Sequence, residues 1–483
     1  MLKILLFCTP AILFCISTSC RNPVTPPAPV YPVPSSQQLA WHEMETNAFI
    51  HFTINTFTNL EWGMGSESPA RFNPSQADPL QWTGILKETG FKGVILTCKH
   101  HDGFCLWPSQ YTGHSVKNSP FKGGQGDLVK EVSEACRQNG LKFGVYLSPW
   151  DRNHALYGKP EYINYYRDQL KELFTGYGPV FEMWFDGANG GNGFYGGANE
   201  RRTIDGRSYY DWPNTLNMIR EIEPDVIFFS DAGPGVRWVG NERGIAGETN
   251  WCNITPDTLY AGKPNIEKLL NEGSEDGTHW IPAETDVSIR PGWFYHESED
   301  SLVKSPEKLF EIYLTSVGRG SVLLLNIPPD RCGLFHENDI RSLQGFREIL
   351  DREFKTNLAA GAKVNSSAFR GNSPVYDPGM VTDGDKETYW TTDDDVTTAS
   401  LEIDLGKSRT IKYVTLQEYI TLGQRIKGLT VEISTGEGWK TVAEVTTIGY
   451  KRILKITPAE TEKIRINITS SRACPVLSNI EVH

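Results

Sequence analysis

Pro179-Val-Phe-Glu-Met-Trp-Phe-Asp186-Gly187 is an apolar run that ends in a carboxylate and opens onto a glycine-rich loop reaching Gly197. A buried strand with an acid at its C-terminal lip is how a (β/α) barrel carries chemistry. The same arrangement recurs at Phe91-Lys-Gly-Val-Ile-Leu-Thr-Cys-Lys-His100-His101-Asp102, at Phe143-Gly-Val-Tyr146-Leu-Ser-Pro-Trp150 and at Asp225-Val-Ile-Phe-Phe-Ser-Asp231. Apolar strands that repeatedly end in polar or aromatic groups point to an enzyme.

Strand candidates at 47–54, 92–99, 142–148, 179–186 and 225–230 alternate with helix candidates at 79–89, 126–139, 160–173 and 209–222. A sixth and a seventh strand are expected near 247–251 and 279–285. A helix at 305–317, a final strand at 321–327 and a helix at 337–354 follow. Strand then helix, repeated, means parallel strands joined by crossover helices. The expected fold class is α/β, an eight-stranded TIM-like barrel over residues 40–356, with an open doubly wound sheet as the alternative. Past Thr356 the texture changes. Leu401 to Leu405, Ile411 to Leu416, Gly428 to Ser434 and Lys463 to Ile468 alternate apolar and polar residues between turns, so residues 357–483 are expected to form a separate β-sandwich.

Composition bounds the function. The chain has 483 residues, 39% hydrophobic and 22% charged, and can bury a large core. A net charge of −12 without a Lys/Arg-rich run speaks against nucleic acid as a partner. Lys3, the apolar stretch 4–16 and small residues before Cys20 form a secretory signal over residues 1–20. Cys20 sits as the lipidated residue of a bacterial lipobox does, with an ordinary cleaved signal as the alternative. The expectation is an exported lipoprotein, touching membrane only through that anchor, with the Pro-rich residues 21–39 as an extended tether. The other cysteines are scattered without short spacing, which favours buried free thiols over a disulfide scaffold or a zinc site.

A retaining glycosidase needs a nucleophilic carboxylate and a second carboxyl as acid/base. Asp186 is the candidate nucleophile; a turn-capping role is the bland alternative. Glu242, in Arg237-Trp-Val-Gly-Asn-Glu242-Arg-Gly244, is the candidate acid/base, with Glu248 and Glu284 as rivals. His100 and His101, adjacent in an extended segment, should point to opposite sides and so not share a metal. They and His51 suit hydrogen bonding to a sugar. Gly191-Asn-Gly193-Phe-Tyr-Gly196 matches a dinucleotide fingerprint but opens no long helix, and reads as a loop over the pocket.

Phe49-Ile-His51-Phe, Glu61-Trp62, Lys99-His100-His101-Asp102-Gly103-Phe104, Tyr146-Leu-Ser-Pro-Trp150, Trp184-Phe-Asp186-Gly187 and Leu325-Asn-Ile-Pro-Pro329 together resemble the signature of the retaining α-L-fucosidases of glycoside hydrolase family 29. The resemblance implies Asp186 as nucleophile. It implies His51, Glu61, Trp62, His100, His101, Tyr146 and Trp184 as fucose-binding residues, Arg237 as the fucose-binding arginine, and no catalytic cofactor. The segment around Glu242 resembles the subfamily preferring α-1,3/4-linked fucose on Lewis-type glycans, with Trp293 in an aromatic wall. An α-L-galactoside substrate, or a surface lectin without catalysis, are the alternatives. Asp383-Gly-Asp385-Lys-Glu387-Thr388-Tyr-Trp390 resembles the discoidin, or coagulation factor type C, module found in carbohydrate binding. In such modules Asp383, Asp385 and Thr388 would border a structural Ca²⁺.

Overall fold

The computed structural model describes residues 24–197 and 199–483. The signal sequence and Cys20 lie outside the described residues. Eight parallel strands close a barrel: β1 Thr46–Ile50, β2 Gly93–Lys99, β3 Lys142–Leu147, β4 Glu182–Trp184, β5 Ile227–Ser230, β6 Val236–Trp238, β7 Ala283–Ser288 and β8 Val322–Asn326. They pair in sequence order, and β8 returns to β1 through registers such as Ala48 with Leu325. The expected α/β barrel is thus the observed fold. β2 and β8 are buried along their whole length, as strands covered on both faces must be.

The longer helices that follow the strands include α1 Pro79–Glu88, α2 Leu128–Asn139, α3 Tyr162–Gly176, α4 Trp212–Ile222, α5 Glu267–Glu272, α6 Pro306–Thr315 and α7 Glu337–Phe354. Their starts are written in the sequence. Asp78 accepts from the backbone N–H of Leu80 and Gln81 ahead of Pro79, and Asp127 accepts from Lys130 N–H.

Two strands differ from expectation. The sixth is Val236–Trp238 and not 247–251, because β5 and β6 are linked by the short turn 231–235 instead of a crossover helix. Parallel neighbours ordinarily need a dozen or more linking residues. The turn is possible because Gly233 takes φ +94°, and a Cβ on Gly235 would lie 2.7 Å from Phe228 O. The seventh starts later than expected, at Ala283, since His279–Trp280 pairs instead with Asn253–Ile254 in a separate two-stranded sheet.

Residues 363–482 form a seven-stranded antiparallel sheet with its own apolar core. Two 20-residue strands, Ala399–Glu418 and Arg452–Ser471, pair with each other through register shifts. The first half of Ala399–Glu418 also pairs with Lys363–Ser366 and its second half with Val476–Val482, so the strand changes partner along its length. The domain is joined to the barrel by aromatic contacts among Phe310, Phe354 and Tyr413. Gln424 adds hydrogen bonds with Cys252 N–H and Asn250 O.

The tether expectation is corrected from residue 24 onward. Arg370 donates to Thr25 O, Arg425 to Ala28 O, and Val30 N–H to Leu422 O, so the proline-rich segment is strapped to the C-terminal domain before helix Ser36–His42 begins. Proline lacks an N–H, but its neighbours' carbonyls still take arginine donors. The cysteines Cys98, Cys105, Cys136, Cys252 and Cys474 are buried free thiols, whereas Cys332 is exposed.

Candidate active site

Side chains alternate along a strand, and the inward set of each barrel strand rises toward its C-terminal end. On β4 the inward residues are Glu182 and Trp184, on β7 Glu284 and Asp286, and on β6 Trp238. Their upper members open into a cavity of about 240 Å³ lined by Phe49, His51, Trp62, His100, His101, Trp184, Asp186, Asp231, Trp238, Glu242, Asp286 and Trp293 among others.

Asp186 stands one residue beyond Phe185 at the mouth of β4. Its Oδ2 accepts from the Tyr146 hydroxyl at 3.1 Å and its Oδ1 from Ala188 N–H at 2.7 Å. Burial raises its pKa, while those two donors pull the other way and favour the carboxylate. Gly187 lets the chain pass close to Asp231: a Cβ there would lie 2.2 Å from Asp231 Oδ2 and force that carboxylate to move.

The three histidines of the pocket are neutral. Burial holds His51 and His101 down to about 3, and His100 well below its ordinary range. Neutral imidazole offers one donor and one acceptor, and neighbours choose which. His51 Nδ1 meets Asn326 Oδ1 at 2.8 Å, and His101 Nδ1 meets Ser148 Oγ at 2.7 Å, leaving His101 Nε2 toward Asp186 Oδ2 at 3.8 Å. The expectation that His100 and His101 face opposite ways fails. Both line the cavity with ring centroids 4.1 Å apart, because β2 ends at Lys99 and strand alternation ends with it. Even so, no group of three or more metal-binding side chains occurs among the described residues.

The remaining site residues divide clearly. Glu242 lines the cavity and takes a 3.3 Å hydrogen bond from Trp293 Nε1. Burial first, then the charges of Asp186 and Glu61, raises its pKa. Of its rivals, Glu248 is an exposed partner of Arg319 near the C-terminal domain, and Glu284 lies below the floor, accepting from Trp184 Nε1 at 2.9 Å. Glu61 anchors the loop that carries Trp293, accepting from Trp293 and Phe294 N–H and pairing with His296 at 2.7 Å. Trp62 is half-exposed on the rim, edge-on to His101 and Trp150.

Arg237 is a correction. It is fully buried, and it donates to the carbonyls of Leu270, Ile281 and Trp251 and to Asn250 on the outer side of β6, so it cannot reach a sugar. Its neighbour Trp238 holds the inward place, which a strand start at 236 dictates. Sequence reading also gave no role to Phe49, Asp231, Trp238 or Asp286. Asp231 ended a quoted strand and could have been found. Asp286 was masked by the misplaced seventh strand.

The family profile for alpha-L-fucosidase matches residues 29–353. Alpha-L-fucosidase 1 of Arabidopsis thaliana is 40% identical over 466 residues, covering 95% of this chain and 88% of the plant protein. The chain belongs to the alpha-L-fucosidase family. Two solved structures agree with this enzyme's fold. A glycoside hydrolase 29 member from an unknown rumen bacterium superposes with TM-score 0.85 at 43% identity, over 95% of this chain and 78% of that one. A Ruminococcus gnavus GH29 fucosidase in complex with fucose gives TM-score 0.85 at 33% identity, over 95% and 97%. The fucosidase is therefore a glycoside hydrolase, and enzymes of this family need no catalytic cofactor. Residues 380–466 match the profile of a NedA-like, galactose-binding domain.

The Ca²⁺ expectation gains nothing from the donors of that domain. Asp383 accepts from Asp385 N–H and the Thr388 hydroxyl, and Asp385 from Glu387 N–H, so the turn satisfies its own backbone.

Beneath the fucosidase's floor, Trp41 Nε1 donates to Glu182 and Trp184 Nε1 to Glu284. The other oxygen of each glutamate has no donor among the described residues, and a proton shared between the two acids would supply one. Burial raises both pKa values. A carboxyl that keeps its proton longer when folded than when unfolded stabilises less as pH rises above the ordinary glutamate range. We expect the melting temperature to fall from pH 5 to pH 8, and Glu284→Gln to flatten that slope. An unchanged slope in the variant would refute the shared proton.

Proposed function

We propose that this enzyme is a retaining exo-α-L-fucosidase that removes α-1,3/4-linked fucose from Lewis-type glycans by double displacement. One observation carries the reading: Asp186, held as a carboxylate by Tyr146 and Ala188, and Glu242, with a raised pKa, line one cavity with three neutral histidines. Asp186 attacks the anomeric carbon while Glu242 gives its proton to the leaving oxygen. Glu242 then takes a proton from the water that hydrolyses the fucosyl-enzyme. Activity therefore falls as pH drops through the pKa of Asp186 and as it rises through that of Glu242.

His51, His100 and His101 meet the ring hydroxyls. The aromatic faces of Phe49, Trp184 and Trp238 suit the C6 methyl of fucose better than the hydroxymethyl of an α-L-galactoside. Trp62 and Trp293 on the rim would stack on the sugars beyond the cleaved bond. A Lewis-type trisaccharide and 2'-fucosyllactose test the linkage: release from the Lewis sugar alone is expected, and equal release from both would remove the α-1,3/4 preference while keeping the fucosidase.

The basic and apolar start, with small residues before Cys20, supports export as a bacterial lipoprotein, periplasmic or at the cell surface. Cys20→Ala should move the protein out of the membrane fraction; unchanged fractionation would contradict the anchor.

A further inference from the structure

A second cavity, of about 490 Å³, lies between the barrel and the C-terminal domain. Helix α6 and the loop after Glu242 form one wall, and the strand segments around Ala443 to Val445 and Arg452 to Lys455 form the other. Five cations face it, Arg243, Lys308, Arg319, Arg452 and Lys455, against the carboxylates of Glu311 and Glu444. In a chain of net charge −12 this is a local reversal of sign. Lys308 is paired with Glu311 and Arg319 with Glu248, but Arg243, Arg452 and Lys455 have no carboxylate within ion-pair distance among the described residues.

Arg452 is the informative member. It is only 6% exposed, and its backbone bridges that of Arg319, which sets the two arginines side by side. Its Nη1 donates to Glu248 O at 2.7 Å, while its Nε has no acceptor among the described residues. Burial and the neighbouring Arg319 push its pKa down to about 10. Arg452 lines the groove, and a guanidinium there suits an oxyanion, whose two oxygens match its fork.

We propose that this interdomain groove binds the oxyanion, a sulfate ester or a carboxylate, of a charged saccharide. Three features select a saccharide over a free ion. The C-terminal wall lies inside the segment matching a galactose-binding domain. Ile312, Leu314 and Ile453 add apolar surface for a sugar face. Arg243 lines the groove while the preceding residue, Glu242, lines the catalytic cavity, so one loop borders both.

Calorimetric titration of the intact two-domain enzyme with a sulfated galactose disaccharide, a uronate disaccharide and their neutral counterpart tests the proposal, with inorganic sulfate as a fourth probe. At least one charged disaccharide should bind about tenfold more tightly than the neutral one, with the preference shrinking in high salt. The double variant Lys308→Gln, Lys455→Gln should lose most of that preference while keeping wild-type kcat/KM on an aryl fucoside. Arg243→Gln should weaken charged-sugar binding without a change in melting temperature. Equal affinity for charged and neutral disaccharides overturns the proposal. So does a preference that survives in both variants, or binding of inorganic sulfate as tight as that of the sulfated sugar.

Discussion

Asp186→Asn is expected to lower kcat/KM on fucosides by about 10,000-fold, equivalent to ~5 kcal/mol of transition-state stabilisation, with the melting temperature held near wild type. The size follows from chemistry. An amide cannot form the covalent fucosyl intermediate, so the first displacement has no nucleophile. The fold is spared because asparagine keeps the oxygen that accepts from Ala188 N–H and nearly the same volume. Burial disfavours the charge at this position, so removing it costs the folded state little. Steady-state kinetics beside a thermal melt checks both halves. A folded Asp186→Asn enzyme with near-native activity would move the nucleophile elsewhere, first to Asp231, the cavity carboxyl whose pKa is pushed up to about 6.

Glu242→Ala should give a loss that depends on the leaving group. Natural glycans leave as poor alkoxides and need a proton in the transition state, so kcat/KM on them should drop about 1,000-fold. Aryl fucosides with acidic phenols leave unaided, and their first step should slow about tenfold or less. Trp293 lies against Glu242 and loses a hydrogen bond in the variant, so a modest KM change on every substrate accompanies the main effect. Equal losses on natural and aryl substrates would exclude Glu242 as the acid. Glu248 and Glu284 could not inherit the role, the first being at the domain junction and the second beneath Trp184. Asp286, buried in the cavity with its pKa raised well above the ordinary range by burial and then by Glu242, would be the next candidate.

Much of this was legible in the chain because β1, β2, β4 and β5 are apolar runs ending at residues that meet the cavity, His51, His100, Asp186 and Asp231. His51, His100 and Asp186 follow from strand ends alone, and the family resemblance adds Glu61, Trp62, Tyr146 and Trp184. What was not legible depends on two properties a one-dimensional pattern lacks. Strand register decides which of two neighbours faces inward: the family resemblance pointed to Arg237, whereas a strand over Val236–Trp238 puts Trp238 in the pocket. Tertiary partners decide the rest: the proline-rich residues from 24 onward read as a free tether because their arginine donors, Arg370 and Arg425, come from more than three hundred residues away. The short link 231–235 broke the strand–helix alternation on which the barrel's strand assignments relied.

The central claim is double displacement through Asp186 and Glu242, and the anomer of fucose first released reports on it directly. Proton NMR during the first turnovers on an aryl α-L-fucoside, before mutarotation, should show α-L-fucose as the initial product. Initial β-L-fucose would mean a single inverting displacement and would contradict Asp186 as a nucleophile.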